Sequence, residues 1–96
     1  MLKNIVITAG GTEEKIDDVR KITNMATGRL GATICNTILS EISEKINKVY
    51  YICSESSLRP KDNEKVEVIV IFGTYDLKDK VEKLLKEVKI DFFVHL

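Results

Sequence analysis

Apolar residues occur along the chain in two alternating patterns, short continuous runs and four-residue repeats. The runs lie at residues 4–8, 48–53 and 66–72, and a fourth begins near Asp91. A continuous apolar run of this length is typical of a strand that is covered on both faces of its sheet. The sequence therefore predicts four buried strands.

The four-residue repeats indicate two amphipathic helices between these strands. The first runs from about Gly28 to Glu44, and its apolar stripe comprises Leu30, Ile34, Cys35, Ile38, Leu39 and Ile42. The second follows Gly73, with Thr74 as its expected N-cap, and its stripe comprises Leu77, Val81, Leu84, Leu85 and Val88. Lysine and glutamate occupy the opposite face of the second helix.

This order of strands and helices predicts a Rossmann-like α/β fold with three layers, α/β/α, and a parallel sheet. Because crossovers between parallel strands are right-handed, the expected spatial order of the strands is 3-2-1-4. The 96 residues are enough for one domain, so we treat 1–96 as a single unit. Ligands of such sheets bind beyond the carboxyl ends of the strands, where the strand order reverses. Here that point lies between the first and fourth strands.

The connection between the first strand and the first helix, residues 9–27, is long for a compact domain. Loops of this length are usually functional or disordered. Ile16, Val19 and Ile22 recur at every third position, which predicts that part of the loop packs down as a helical turn.

Glycine and threonine residues mark both ends of this loop: Gly10, Gly11, Thr12, Thr27, Gly28 and Gly31. Thr27 is the expected N-cap of the first helix. Glycines let an anion approach the backbone, and a helix N-terminus attracts negative charge, so the arrangement favours a phosphate-bearing ligand. A glycine pair after a strand is also often a simple turn. The spacing fits neither a dinucleotide fingerprint nor a P-loop.

Three polar side chains in or beside the loop are candidate ligand contacts. Asn24 either caps a local turn or offers its amide to a ligand carbonyl or a developing oxyanion. Arg20 and Arg29 are candidate partners for phosphate, although Arg20 is equally placed to pair with Asp17 or Asp18.

Composition limits the partners of the chain. Its 15 basic and 15 acidic side chains cancel, so we expect no nucleic acid and no membrane partner. The N-terminus is no signal peptide, and no window approaches the ~20 apolar residues of a membrane span, which predicts a cytoplasmic protein.

Cys35 and Cys53 are expected to be reduced, buried thiols. His95 is interpreted as a strand-end histidine, and we predict no metal ligands in this chain.

The loop and its flanks resemble the start of phosphopantothenate–cysteine ligase, also called phosphopantothenoylcysteine synthetase. The matching positions are Thr8 to Thr12, Ile16-Asp17, Val19-Arg20, Ile22 to Asn24, and Thr27 to Ala32. The resemblance is strong over residues 4–32 and covers the remainder through the order of strands and helices. Because the chain starts at the first strand, with no flavin decarboxylase domain before it, it resembles the stand-alone bacterial type.

This resemblance implies an enzyme of coenzyme A biosynthesis with a Rossmann-like fold. The family activates the carboxylate of 4′-phosphopantothenate with a nucleoside triphosphate, CTP in most bacteria, and releases pyrophosphate. The amine of cysteine then attacks the acyl-cytidylate. The complete enzyme uses Mg²⁺, holds no prosthetic group and is commonly a homodimer.

The resemblance also implies roles for individual residues. Asn24 is the catalytic residue, because the matching asparagine contacts the acyl-nucleotide intermediate. The substrate and nucleotide are bound by Gly10, Gly11, Thr12, Thr27, Gly28, Arg29 and Gly31. Loop 9–27 and the helix start at 28–31 thus form the expected substrate and phosphate site.

The chain departs from the family in three respects. Asp18 replaces a usual proline, and Ala26 replaces a hydroxyl-bearing residue, which removes one hydrogen-bond donor. The family continues after its last strand with an Ala-x-x-Asp segment and a lysine-bearing loop that serves the nucleotide. Neither lies within these residues, so we expect no pyrophosphate release from them alone. The alternative function is a non-catalytic module that binds phosphate, phosphopantetheine or a nucleotide and acts with a partner chain.

Overall fold

The computed structural model describes residues 2–9, 13–15, 21–23 and 29–95. Within these ranges a short 3-10 turn, Ser43–Lys45, follows the first of two helices, which are α1 (Arg29–Glu41) and α2 (Thr74–Glu87). The strands are β1 (Lys3–Ala9), β2 (Glu13–Lys15), β3 (Lys21–Thr23), β4 (Ile46–Ser54), β5 (Val66–Ile71) and β6 (Phe92–His95).

Four of these strands form one parallel sheet in the order β5-β4-β1-β6. Ile5 of β1 pairs with Val49 of β4 on one side and with Phe92 of β6 on the other. When only the strands of this sheet are counted, the order is 3-2-1-4. The predicted fold, a Rossmann-like α/β arrangement with a parallel sheet, is confirmed.

Successive residues of β1 are buried in two different cores, one under each helix. Ile5 packs in a cluster with Cys35 and Leu39 of α1, whereas Val6 packs in a cluster with Leu84 of α2. Because successive side chains of a strand point to opposite faces, both faces of β1 are covered. This is why the apolar run of β1 is continuous rather than alternating.

The buried face of α1 differs from the predicted stripe. Ile34 and Ile38 pack against the core as expected, but Leu30 is 62% exposed and Ile42 is 39% exposed. The buried residues of the helix are Cys35 and Leu39, as predicted, and also Gly31 and Ala32. The face toward the sheet is thus built around small side chains, which let the helix approach β1 closely.

The predicted end of α1 and the predicted apolar stripe of α2 also need correction. α1 ends at Glu41, before the predicted end at Glu44. On α2, Leu84 is buried but Leu85 is 52% exposed, so Leu85 does not belong to the buried stripe.

No helix in the described ranges has the length and apolar content needed to cross a membrane.

α2 begins after a glycine in a conformation that other residues rarely adopt. Gly73 occupies the N-cap position with φ 90° and ψ 177°, and Thr74 lies inside the helix. The prediction of Thr74 as the N-cap is therefore wrong. Asp76, in the first turn, accepts the backbone N–H of Phe72 at 2.8 Å and so ties the helix to the residue that follows β5.

A separate two-stranded sheet lies within the long loop after β1. β2 and β3 pair antiparallel, with Glu14 opposite Ile22. The predicted helical turn is therefore wrong at Ile22, while residues 16–20 lie outside the described ranges. Apolar residues at every third position do not distinguish a helical turn from a strand that follows a short reversal of the chain.

Candidate functional site

The carboxyl ends of β1, β4 and β6 meet at one edge of the sheet. Ala9, the last residue of β1, pairs with Cys53, and Thr8 pairs with His95. The loop predicted to bind the ligand leaves β1 at this edge, and it ends where α1 begins at Arg29. The strand order also reverses here, between β1 and β6, which is the usual position of ligands in open α/β sheets.

Two of the predicted site residues, Arg29 and Gly31, fall within the described ranges. Arg29 is exposed at the first position of α1, whereas Gly31 is buried in the same turn. The remaining predicted residues lie outside the described ranges: Gly10, Gly11, Thr12, Asn24, Thr27 and Gly28. Their convergence at this edge, and the roles assigned to all of these residues, stay predictions.

The first turn of α1 is electrostatically suited to an anion. It contains no acidic side chain, so no carboxylate of that turn neutralises the partial positive charge of its backbone N–H groups. Arg29 adds a full positive charge at the same place. Gly31 and Ala32, both buried, hold the turn against the sheet. The beginning of α1 is therefore a favourable place for phosphate.

Thr8 and His95 form a polar pair at the same edge. Thr8 is only 3% exposed, and its Oγ1 lies 2.5 Å from Nδ1 of His95. His95 lies at the end of its strand, as interpreted from the sequence, but no sequence pattern links it to Thr8. The one available signal was the position of Thr8, which follows a buried apolar run and lies two residues before the glycine pair.

A pocket of about 230 Å³ lies beside this pair. The side of the pocket formed by α2 and β6 is mainly apolar. The described residues that line it are Thr8, Leu77, Lys78, Val81, Phe93 and His95. The accessible surface of the pocket is almost entirely apolar, although Thr8, Lys78 and His95 are among its lining residues.

Ser54 closes β4 at this edge and was not predicted as a site residue. Its Oγ is buried and makes no hydrogen bond within the described part of the chain. Burial of a hydroxyl group without a partner is unfavourable by about 1–3 kcal/mol. Ser54 is therefore a candidate donor for a ligand at the carboxyl edge.

The two thiols and Tyr51 lie close together in the core under α1. Burial raises the pKa of Cys35 to about 11, and burial together with the nearby thiols raises the pKa of Tyr51 to about 12. Burial also raises the pKa of Cys53, against an opposing effect of the Arg59 guanidinium, which donates to its sulfur. Both cysteines are free and buried, as predicted. They remain protonated at neutral pH, so they act as packing residues rather than nucleophiles.

The described residues contain no group of three or more His, Cys, Asp or Glu side chains arranged to hold a metal ion. The Mg²⁺ that the sequence resemblance implies therefore fits no cluster in this part of the chain. We assign no step of the chemistry to a metal held by these residues.

Comparison with known protein families and sequences gives two matches to the chain. The family described as DFP, the DNA/pantothenate metabolism flavoprotein C-terminal domain, matches residues 1–95. The coenzyme A biosynthesis bifunctional protein CoaBC of Thermococcus kodakarensis is 30% identical over 92 residues, which are 96% of this chain and 21% of that protein.

Two relatives are reported from the solved structures that share the fold. The DNA/pantothenate metabolism flavoprotein from Streptococcus pneumoniae is 30% identical with a TM-score of 0.78, and the match covers 99% of this chain and 42% of that one. The C-terminal domain of the coenzyme A biosynthesis bifunctional protein CoaBC is 26% identical with a TM-score of 0.74, covering 99% and 44% of the two chains. The chain thus spans less than half of each of these structures and about a fifth of the curated relative.

Proposed function

We propose, because the chain belongs to the DFP family, the DNA/pantothenate metabolism flavoprotein C-terminal domain, that it carries the substrate-binding part of a phosphopantothenate–cysteine ligase in coenzyme A biosynthesis. The main support for this proposal is the family match over residues 1–95. The name of the Thermococcus kodakarensis relative supports the pathway. The resemblance of residues 4–32 to the ligases supports the reaction.

The proposed reaction has two steps. In the first, the carboxylate of 4′-phosphopantothenate attacks the α-phosphorus of CTP, and pyrophosphate leaves. In the second, the amine of cysteine attacks the acyl carbon, a C–N bond forms and CMP leaves. Asn24 is proposed to donate its amide to the acyl oxygen, which becomes more negative as the amine attacks.

The geometry of the carboxyl edge supports an anionic substrate. The exposed Arg29 and the first turn of α1, which lacks acidic side chains, offer positive charge next to the end of β1. Gly10, Gly11 and Gly28 are proposed to let phosphate approach the backbone there, and Thr12 and Thr27 to donate hydroxyl groups. Gly31 is proposed to act by bringing the helix start close to β1, in keeping with its burial.

We propose that the complete ligase is a cytoplasmic homodimer and that it uses CTP and Mg²⁺. These features follow from the family resemblance and rest on the same premise as the reaction.

The alternative function is a non-catalytic module that binds phosphate, phosphopantetheine or a nucleotide and acts with a partner chain. The first turn of α1, which lacks acidic side chains and begins with Arg29, supports an anionic ligand in either function.

Two measurements distinguish these functions. We expect calorimetry to detect saturable binding of 4′-phosphopantothenate to the chain. We also expect pyrophosphate release from CTP, 4′-phosphopantothenate and cysteine when the unmatched part of the Streptococcus pneumoniae relative is supplied as a separate polypeptide. Binding without release under that condition favours the module, and absence of binding contradicts both functions.

A further inference from the structure

β5 is the outermost strand of the main sheet on the side opposite β6, and no described strand pairs with its outer side. Glu67 is the one charged residue of this strand, and the others are valine or isoleucine. Natural edge strands are usually protected by lysine, proline or a bulge, because their free backbone groups can pair with another chain. β5 has no lysine and no proline, and its register with β4 is uninterrupted. Its outer side is therefore a candidate interaction surface.

The hydrogen bonds to β4 determine which backbone groups of β5 face outward. The backbone N–H of Val49 donates to the carbonyl of Lys65 at 2.8 Å. The N–H and C=O of one residue point to the same side of a strand, and the side alternates from residue to residue. The odd-numbered residues of β5 therefore also face β4. The even-numbered residues, Val66, Val68 and Val70, face outward.

The backbone donors at the two ends of this outer side are already satisfied within the chain. The N–H of Val66 donates to the carbonyl of a turn residue at 3.0 Å, and the N–H of Phe72 donates to Oδ2 of Asp76 at 2.8 Å. Among the described residues, the outward N–H groups that remain on β5 are those of Val68 and Val70. Each is accompanied by its own outward carbonyl.

The outward-facing residues also form an apolar row on the side of the sheet that carries α1. Val66 packs against the core cluster under α1. Because side chains alternate along a strand, Val68 and Val70 lie on the same side, and Phe72 continues the row. Val68 is exposed, and Phe72 is 72% exposed. The described residues thus leave this row only partly covered.

We propose that two copies of the chain associate by antiparallel pairing of their β5 strands about a two-fold axis at Ile69. In this register Val68 of one copy lies opposite Val70 of the second copy, and the free N–H of each donates to the free carbonyl of the other. The backbone of both valines is then fully paired. Phe72 lies opposite Val66 of the second copy, so the apolar row of each copy covers that of the other.

Neighbouring registers of the same pairing are less favourable. An axis at Val68 places the carbonyl of Val70 opposite the N–H of Val66, which already donates within its own chain. An axis at Glu67 places the two Glu67 side chains directly opposite each other, and like charges in that position are destabilising. The axis at Ile69 avoids both costs.

A second copy fits this edge better than an unrelated chain, because the pattern is complementary to itself. A two-fold contact requires the same surface to match on both copies, and the free backbone groups and the apolar row meet this requirement. The charges are also compatible, since Glu67 lies opposite Ile71 of the second copy and 3.7 Å from the ammonium of Lys48 in its own copy. Two such short strands bury less than the ~1,200 Å² of standard interfaces, so the dimer is weak.

The pairing joins the two main sheets into one continuous sheet. Because the β5 strands run antiparallel, the carboxyl edges of the two copies face in opposite directions. The candidate site of one copy is therefore not completed by the other. The association is independent of the proposed reaction and of the homodimer proposed for the complete ligase, and its tests do not depend on binding of 4′-phosphopantothenate.

Sedimentation equilibrium tests whether the association occurs and whether it stops at the dimer. A two-fold contact uses the β5 edge of both copies, so this edge cannot add a third copy. We would measure the chain with Phe92→Lys, a change on the opposite edge strand that leaves β5 unchanged. The expected mass rises with concentration to that of two chains and no further. A monomer at all concentrations up to about 1 mM, or a mass beyond two chains, overturns the proposal.

Two lysine substitutions in the same background separate the edge of β5 from the rest of the surface. A lysine on an edge strand opposes pairing with another chain, so we expect Val68→Lys to raise the dimer Kd by at least about tenfold. Leu85→Lys, at an exposed leucine of α2, is expected to leave the Kd unchanged. Equal Kd values for the two variants overturn the role of β5.

Hydrogen exchange of individual amides tests the register in the unmodified protein. The N–H groups of Val68 and Val70 face solvent in the monomer and are hydrogen-bonded in the dimer, so their exchange should slow as the concentration rises. The N–H of Phe72, bonded within its own chain, should change less. Pairing through β6 would instead slow the outward amides of Phe92 and Val94. Exchange at Val68 and Val70 that does not depend on concentration overturns the proposal.

Discussion

Asn4 and Asp91 join the amino ends of β1 and β6 through two hydrogen bonds. The backbone N–H of Asn4 donates to Oδ2 of Asp91, and the backbone N–H of Asp91 donates to the carbonyl of Asn4, each at 2.9 Å. The side-chain oxygen of Asn4 also accepts a hydrogen bond from Nδ2 of Asn47 at 2.8 Å, which connects it to β4. These contacts set the register of β6 against β1, and that register places His95 opposite Thr8 at the other end of the sheet.

Replacement of Asp91 tests this contribution to stability. We expect Asp91→Ala to lower the free energy of unfolding by about 1–3 kcal/mol, because the partly buried N–H of Asn4 loses a charged acceptor. Urea denaturation measures the change. The control is Asp79→Ala, an aspartate on the exposed face of α2, which is expected to change stability little. Similar losses in the two variants would contradict the role of Asp91.

Among the described residues, Gly73 is the position where the backbone conformation should disfavour a side chain most. Its φ of 90° and ψ of 177° lie in a region that is essentially restricted to glycine. A Cβ added there meets no atom within 4 Å, so steric overlap with the rest of the protein does not contribute. We expect Gly73→Ala and Gly73→Asn each to destabilise the protein by about 1–3 kcal/mol in urea denaturation. Unchanged stability in both would show that the backbone at Gly73 adopts another conformation.

The buried thiols predict a loss of stability at alkaline pH. The pKa of Cys35 is raised from its ordinary 9.0 to about 11, so the unfolded chain releases this proton at a lower pH than the folded protein does. The stabilising effect is complete below pH 9 and is lost as the pH rises toward 11. One such proton gives a slope of up to about 1.4 kcal/mol per pH unit.

This slope is measured by urea denaturation over that pH range. Cys35→Ala should have a smaller slope than the unmodified protein, although Cys53 and Tyr51, whose pKa values are also raised, should leave part of it. The comparison of slopes is independent of any constant loss of stability in the variant. Identical slopes would contradict the proposed ionisation behaviour of Cys35.

β6 is at the edge of the sheet and carries exposed aromatic side chains. Phe92 is 58% exposed and Phe93 is 45% exposed. An exposed apolar edge strand is a template for pairing with another chain, so we expect the protein to associate as its concentration rises. Light scattering should show an apparent mass that increases with concentration, and Phe92→Lys should reduce this increase. Leu85→Lys, an equivalent change at a similarly exposed leucine on α2, should not. A concentration-independent monomer would contradict this prediction.

The sheet order could be predicted from the sequence because each strand of the main sheet is a distinct apolar run. The hairpin of β2 and β3 could not, since each strand has three residues and β2, Glu-Glu-Lys, is entirely polar. The start of the buried face of α1 was misplaced because apolar patterns give weight to large residues such as Leu30, whereas the small residues Gly31 and Ala32 are the buried ones there.

The candidate site was predictable only in part, because some of its residues are close together in the sequence and others are far apart. The glycines and threonines of the loop lie in a short segment of sequence, so their pattern can be recognised locally. Thr8 and His95 are 87 residues apart, and only the register of β6 against β1 brings them together. Such a register depends on side-chain packing and on the contacts of Asn4, which local sequence does not reveal.

Calorimetric titration with 4′-phosphopantothenate tests most directly the claim that the loop after β1 and the start of α1 form a substrate site. We predict saturable binding by the unmodified protein and an unchanged affinity for Asn63→Ala, an exposed asparagine just before β5, at the amino edge of the sheet. For Asn24→Ala we predict an affinity lower by about tenfold, as expected for the loss of one hydrogen bond to a charged group. Absence of binding by the unmodified protein, or equal affinities for the two asparagine variants, would contradict the claim.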